Sequence, residues 1–225
     1  SFDFFAKAAK NYTAKITKPK GIEQTYKLPK ANNRGFAIRL KSNEKSNLLF
    51  DFFTTENETM TAVVRLNGAI VQSKYLLPPT SEMKIKTADL PVGIAQITLF
   101  DSYNVPRAER LFFVNKDKNL NVKIKTDKEK YLPREKVSMS VEVTDDRGLG
   151  VAGQFSLAVA DDKLLSYADD KQGHILSALL LESELKGKIH EPNFYFEKDE
   201  KEPTKSRAIA LDNLLLTQGW RRFYW

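Results

Sequence analysis

The chain has 225 residues, 41% hydrophobic, 11% aromatic and 29% charged, with 10 Gly, 9 Pro and no Cys. That apolar fraction excludes a disordered, collagen-like or low-complexity chain, and the length predicts one large domain or two small ones at roughly 100–150 residues each. The net charge is +7, concentrated in residues 1–116, which hold 18 Lys/Arg against 10 Asp/Glu, whereas residues 117–225 hold 18 against 19.

In the basic half the lysines stand singly between strand-like runs, which keeps sheet faces soluble and edges unpaired. A nucleic-acid footprint would cluster them with exposed aromatics or a binding motif, so no nucleic-acid partner is expected. The absence of cysteine excludes disulfides, thiolate zinc sites and cysteine nucleophiles. No apolar run approaches the roughly 18 residues that span a bilayer, so no membrane insertion by this segment is expected. The start at Ser1 and the aromatic end at Trp220-Arg221-Arg222-Phe223-Tyr224-Trp225 read as a fragment of a longer protein.

The first twenty residues admit two patterns. Phe2, Phe5, Ala9, Tyr12 and Ile16 fit a helix, while Phe2/Phe4 and Tyr12/Ala14/Ile16 fit two strands around Lys10-Asn11. From Arg34 onward the period is two: Phe36, Ile38 and Leu40 alternate with Ala37, Arg39 and Lys41. Strands are predicted at 48–53, 61–66, 69–72, 83–86, 93–100 and 109–114. Asn67-Gly68 between the second and third of these is a strong hairpin signal, since both central positions of the tight turn need positive φ. Six or more short strands with no helix between them predict an antiparallel β-sandwich.

Asn115-Lys116-Asp117-Lys118-Asn119 is a polar joint, and a domain boundary is placed there. Alternation resumes at Leu120-Asn121-Val122-Lys123-Ile124-Lys125 and at Val137-Ser138-Met139-Ser140-Val141-Glu142-Val143. After the turn Asp145-Asp146-Arg147-Gly148, a further strand is predicted at Phe155-Ser156-Leu157-Ala158-Val159-Ala160. Beyond Asp161 the spacing becomes three-and-four. Helices are expected at about 163–190, with 174–187 its amphipathic part ending at Gly187, and at about 205–218. Residues 197–205 read as a charged, mobile loop.

No Gly-x-Ser-x-Gly elbow, phosphate loop or dinucleotide fingerprint occurs. His174 and His190 lie too far apart for a metal pair on one helix face and read as capping residues. No catalytic residue and no cofactor is therefore expected. The acidic pairs Asp145-Asp146, Asp161-Asp162 and Asp169-Asp170 fit turns and helix caps. Asp161, Asp162, Asp169 and Asp170 are also kept as calcium candidates. The stretch holding Trp220, Arg221, Arg222, Phe223 and Trp225 is a candidate interaction site, read either as an interface hot spot or as packing against the second sandwich.

Thr126-Asp127-Lys128-Glu129-Lys130-Tyr131-Leu132-Pro133-Arg134-Glu135-Lys136-Val137 resembles the opening of a macroglobulin-like domain of the alpha-2-macroglobulin superfamily, with Arg134 where that run has Gly. Ser156 to Leu165 resembles a later strand of such domains ending in an acidic turn. Residues 93–101, 108–115 and 179–187, with Leu216-Thr217-Gln218-Gly219-Trp220-Arg221-Arg222, resemble large Bacteroidetes-type cell-envelope proteins. Those proteins carry such domains ahead of carboxypeptidase-regulatory-like and TonB-dependent-receptor-plug-like neighbours.

The resemblance implies a remnant hairpin of a preceding sandwich at 1–20 and a first macroglobulin-like, Ig-like sandwich at 21–116. A second would follow at 117–225, carrying the helices as an insertion or extension. It further implies a non-catalytic spacer and partner- or substrate-presenting scaffold, extracytoplasmic, in the periplasm or at the outer membrane or surface of a Gram-negative bacterium. Its partners would be neighbouring domains of the same chain and an outer-membrane component. Two alternatives are a macroglobulin-type protease-inhibitor segment with residues 197–206 as bait, and a carbohydrate-binding module using Tyr103, Phe194, Tyr195 and Phe196.

Overall fold

The computed structural model describes residues 6–7, 10–18, 20–31, 33–44, 47–159, 175–197 and 204–219. The protein is mainly β, built from antiparallel sheets. It divides into two compact units. Ser1–Lys86, Ala95–Phe112 and Asp212–Trp225 form one, and Thr87–Ile94 with Phe113–Leu211 form the other.

In the first unit a small hairpin pairs β1 (Thr13–Lys15) with β2 (Thr25–Lys27). The strand expected before Lys10-Asn11 falls almost wholly outside the described residues. Seven strands then make two sheets. A three-stranded sheet has the order β3 (Phe36–Glu44), β4 (Asn47–Thr54), β7 (Thr80–Lys86). A four-stranded sheet has the order β6 (Ala69–Leu76), β5 (Met60–Leu66), β8 (Gly93–Phe100), β9 (Pro106–Val114).

Alternation dictates which side of each sheet is apolar. On β4, Leu48, Phe50 and Phe52 face inward, and Phe50 and Leu48 lie opposite Met83 and Ile85 of β7. On the other sheet Ala62, Val64 and Leu66 lie opposite Leu99, Ile97 and Ala95. All of these are buried, and the Phe50 and Phe112 rings, 4.9 Å apart between centroids, join the two sheets. The hairpin expected at Asn67-Gly68 is present, with φ of 49° and 80° at the two positions.

The open edges are closed by side chains. Gln72 Nε2 and Lys74 Nζ on β6 donate to the Lys84 and Glu82 carbonyls of β7 at 3.1 and 2.8 Å. On the far side Arg110 of β9 donates to the Ile38 carbonyl of β3 at 3.5 Å. It also forks onto both carboxylate oxygens of Asp212 at 3.0 and 2.8 Å. This buried guanidinium ties the second half of a long helix to the sandwich.

The second unit contains a two-stranded sheet of β10 (Asn121–Thr126) and β11 (Met139–Thr144). Its described helical residues include the short α1 (Ile175–Ser177), which runs into a π-helical turn at Ala178–Glu182, followed by a 3-10 turn at Pro192–Tyr195. The longer helix α2 (Thr204–Gln218) starts in this unit and ends in the other. Leu181, Leu185 and Ile189 are its small core, beside a buried Ser177 hydroxyl that donates to Asn193 Oδ1 at 3.1 Å.

Two expectations are corrected here. Residues 183–190 form turns and bends instead of continuing the helix expected to Gly187. The ladder slips to a π turn, with the Ser183 N–H donating to the Ala178 carbonyl, and Gly187 sits at φ = 91° in mid-loop. The strand expected at Phe155 is absent from the described residues up to Val159, because a strand needs an edge to pair with. Among the described residues the chain touches the outer edge of β11 around Gly150 and forms no strand from 152 to 159.

Candidate interaction surface

The residues singled out from the sequence are distributed unevenly. Asp161, Asp162, Asp169 and Asp170, the calcium candidates, lie outside the described residues, as do His174 and the interaction candidates Trp220, Arg221, Arg222, Phe223 and Trp225. Among the described residues no three His, Cys, Asp or Glu side chains converge as a metal site would require. Within that range, too, no helix is long and apolar enough to cross a membrane. Of the aromatic platform candidates, Tyr103 belongs to the first unit and Phe194, Tyr195 and Phe196 to the second. Phe196 packs edge-on against Phe113 at 5.8 Å, and Phe194 lies against the Arg207 guanidinium at 5.2 Å. Those two rings are engaged in local packing.

Gly219, in the motif before Trp220, has a structural reason. A Cβ there would stand 2.3 Å from Leu111 Cδ1 and 2.5 Å from the Leu215 carbonyl oxygen. The leucine tip can shift and the carbonyl cannot, so glycine is what lets the helix end lie against β9.

The loop joining β10 to β11 is held by its own acids. The Asp127 carboxylate accepts from the Tyr131 hydroxyl at 2.5 Å and from the Ser138 N–H at 3.0 Å. Glu135 accepts from Lys128 and from the Leu132 N–H at 2.7 Å. The Tyr131 bond to Asp127 and the Lys128 bond to Glu135 hold both carboxyls below their ordinary range. After β11 the same device recurs. Asp145 accepts from the Leu149 and Arg147 N–H groups, both at 2.9 Å, and is likewise held low, while Gly148 takes φ = 80°. Asp145-Asp146 is thus a turn, as its sequence implies.

Between these two loops the sheet has one apolar face. Val122 lies opposite Val143 and Ile124 opposite Val141, with Met139 opposite Thr126. Val151, whose N–H donates to the Val143 carbonyl at 2.9 Å, extends the row. The reverse face carries Asn121, Lys123 and Lys125 opposite Thr144, Glu142 and Ser140. Such a face ought to be core, yet Val122 and Ile124 are 58% and 57% exposed. No residue between 117 and 159 is buried. Monomers seldom leave a contiguous apolar strip open unless something docks on it. The alternation was visible in the sequence; the bareness was not, because periodicity identifies an apolar face without saying what covers it.

No protein-family model matches this chain, and no curated protein matches it either.

Proposed function

We propose that the chain is a non-catalytic interaction segment, a spacer that presents the apolar face of β10 and β11 to a protein partner. The observation that carries this reading is that exposed apolar face, flanked by two acid-organised loops. A two-stranded sheet is marginal by itself, and its apolar side gains most when another polypeptide covers it. The resemblance of residues 126–137 to a macroglobulin-like opening supports placing the segment in a series of Ig-like sandwiches. The three-over-four strand arrangement of the first unit also supports an Ig-like reading. The same resemblance favours an extracytoplasmic setting in a Gram-negative envelope, with an outer-membrane component as partner and the helices as an elaboration of the second sandwich.

The test is a photo-crosslinking residue at position 124 in the full-length protein, activated in intact cells, with mass spectrometry of the adduct. Crosslinking to one envelope protein, lost in Val122→Lys, supports the reading and names the partner. Crosslinking only to proteases would move the protease-inhibitor alternative ahead of it. A protein found in the cytosol, with no adduct at position 124, overturns it.

A further inference from the structure

We infer that the occupant of this surface is an extended strand of alternating apolar and acidic residues from another polypeptide, added at the open edge of β10. The inference rests on the reading of the β10–β11 sheet as a partner-binding surface and specifies how that surface is used.

The ladder identifies the edge. The Asp127 N–H bonds the Ser138 carbonyl, so the odd-numbered residues of β10 exchange bonds with β11. The N–H and C=O groups of Val122 and Ile124 therefore point to the opposite side, where no strand lies among the described residues. The outer edge of β11 is already engaged by the return of the chain at Gly150 and Val151. Among the described residues one edge is closed and one is open, and the open one carries Val122 and Ile124, the two most exposed apolar residues of the face.

The face and the edge together dictate the sequence of the incoming strand. Its apolar side chains, at alternate positions, extend the row of Val122 and Ile124. The intervening side chains stand beside Lys123 and Lys125 in the wide, non-hydrogen-bonded positions of the new ladder, where side chains approach most closely. Lys123 has Glu142 opposite on β11, whereas Lys125 has only Ser140. Acidic residues at those positions are matched, and lysines are repelled. A lysine-bearing edge turns away most strands, and here the same two lysines select an acidic one.

A second copy of this chain fits less well. Its own β10 would bring Lys123 and Lys125 against the same two lysines.

The probes are two synthetic peptides, acetyl-(Val-Glu)3-Val-amide and acetyl-(Val-Lys)3-Val-amide, titrated into the full chain while amide exchange is followed by NMR. The Glu peptide is expected to slow exchange at Val122 and Ile124 and to bind about tenfold more tightly than the Lys peptide. Lys123→Glu with Lys125→Glu should reverse that preference while exchange of the Asp127 and Val151 amides, bonded to the Ser138 and Val143 carbonyls, stays unchanged without peptide, which reports that the sheet is intact. Equal binding of both peptides, or binding without protection of these two amides, overturns edge addition. It leaves the surface reading standing on its crosslinking result. Binding of neither peptide also overturns the inference. So does protection that grows with protein concentration alone, which would assign the edge to a second copy.

Discussion

Arg134 lies in the left-handed region at φ = 65°, where a Cβ crowds the following carbonyl and costs roughly 1–2 kcal/mol. The side chain is exposed and accepts this position within a loop fixed by Asp127 and Glu135. Arg134→Gly removes the crowding and adds roughly 0.5–1 kcal/mol of unfolded-chain entropy. The balance favours glycine, so the variant should be more stable by about 0.5–1 kcal/mol, seen as slower exchange of the Ser138 amide. Faster exchange would mean that the guanidinium itself holds the loop. Asp101 shows the opposite economy, a buried charge fully used. Its carboxylate accepts from the Tyr103 and Val105 N–H groups, both at 2.9 Å, and from Arg107 at 2.6 Å. Burial alone would raise its pKa; the Val105 N–H, Arg107 and the Tyr103 N–H together depress it below the ordinary carboxylate value. A depressed carboxylate contributes stability above its unfolded pKa and loses it as pH falls through the folded one. The urea midpoint of the first unit should therefore fall on acidification below about pH 4, and fall less steeply in Asp101→Asn. Parallel pH profiles would exclude Asp101 as a source.

The joint between the second half of α2 and the sandwich is an element-scale feature that includes one buried ion pair. Arg110 is buried, its Nε has no partner, and Asp212 neutralises it through two short bonds. Removing one member leaves a buried charge, so Asp212→Ala should cost about 3–5 kcal/mol. Replacing both, as Arg110→Met with Asp212→Leu, should cost less than the single change, because no charge is then stranded. Thermal denaturation of the three variants checks this, and a double variant worse than the single one would show that the pair positions the helix as well as neutralising it. The seven strands of the sandwich were legible because most carry alternating apolar residues and Asn67-Gly68 marks one of their turns, whereas the short β2 at Thr25–Lys27 carries no such signal. The α2 helix was legible from its three-and-four spacing. Arg110 could not be recognised as its anchor, since an arginine on an alternating strand looks solvent-facing and Asp212 is a hundred residues away in sequence. The helix expected to Gly187 failed for a local reason. A π turn and a left-handed Glu191 before Pro192, at φ = 46°, redirect the chain, and neither has a periodic signature.

At the scale of the whole molecule, the two units differ in how their apolar residues are used. In the first, Phe50, Phe52, Ile97, Leu99 and Phe112 are enclosed between two sheets. In the second, Val122 and Ile124 repeat the same alternation but stay more than half exposed, and the strand expected at Phe155 does not form among the described residues 155–159. The sequence pattern is nearly identical in the two cases, so alternation could predict strands in both without distinguishing an enclosed face from a bare one. Energetically the difference is large. Full burial of one such side chain contributes roughly 1.5–3 kcal/mol, and the β10–β11 sheet forgoes most of that for each exposed member. Amide exchange should register it directly. The ladder amides of the inner strands β4, β5 and β8 should exchange only through global opening of the first unit, while the ladder amides of β10 and β11 exchange through a local opening of much lower free energy. A difference of at least a hundredfold in protection, in the absence of partner, is the expected outcome. Addition of the bound strand should close that gap at β10 first. Equal protection in the two sheets without any partner would show that the apolar face is already covered in solution.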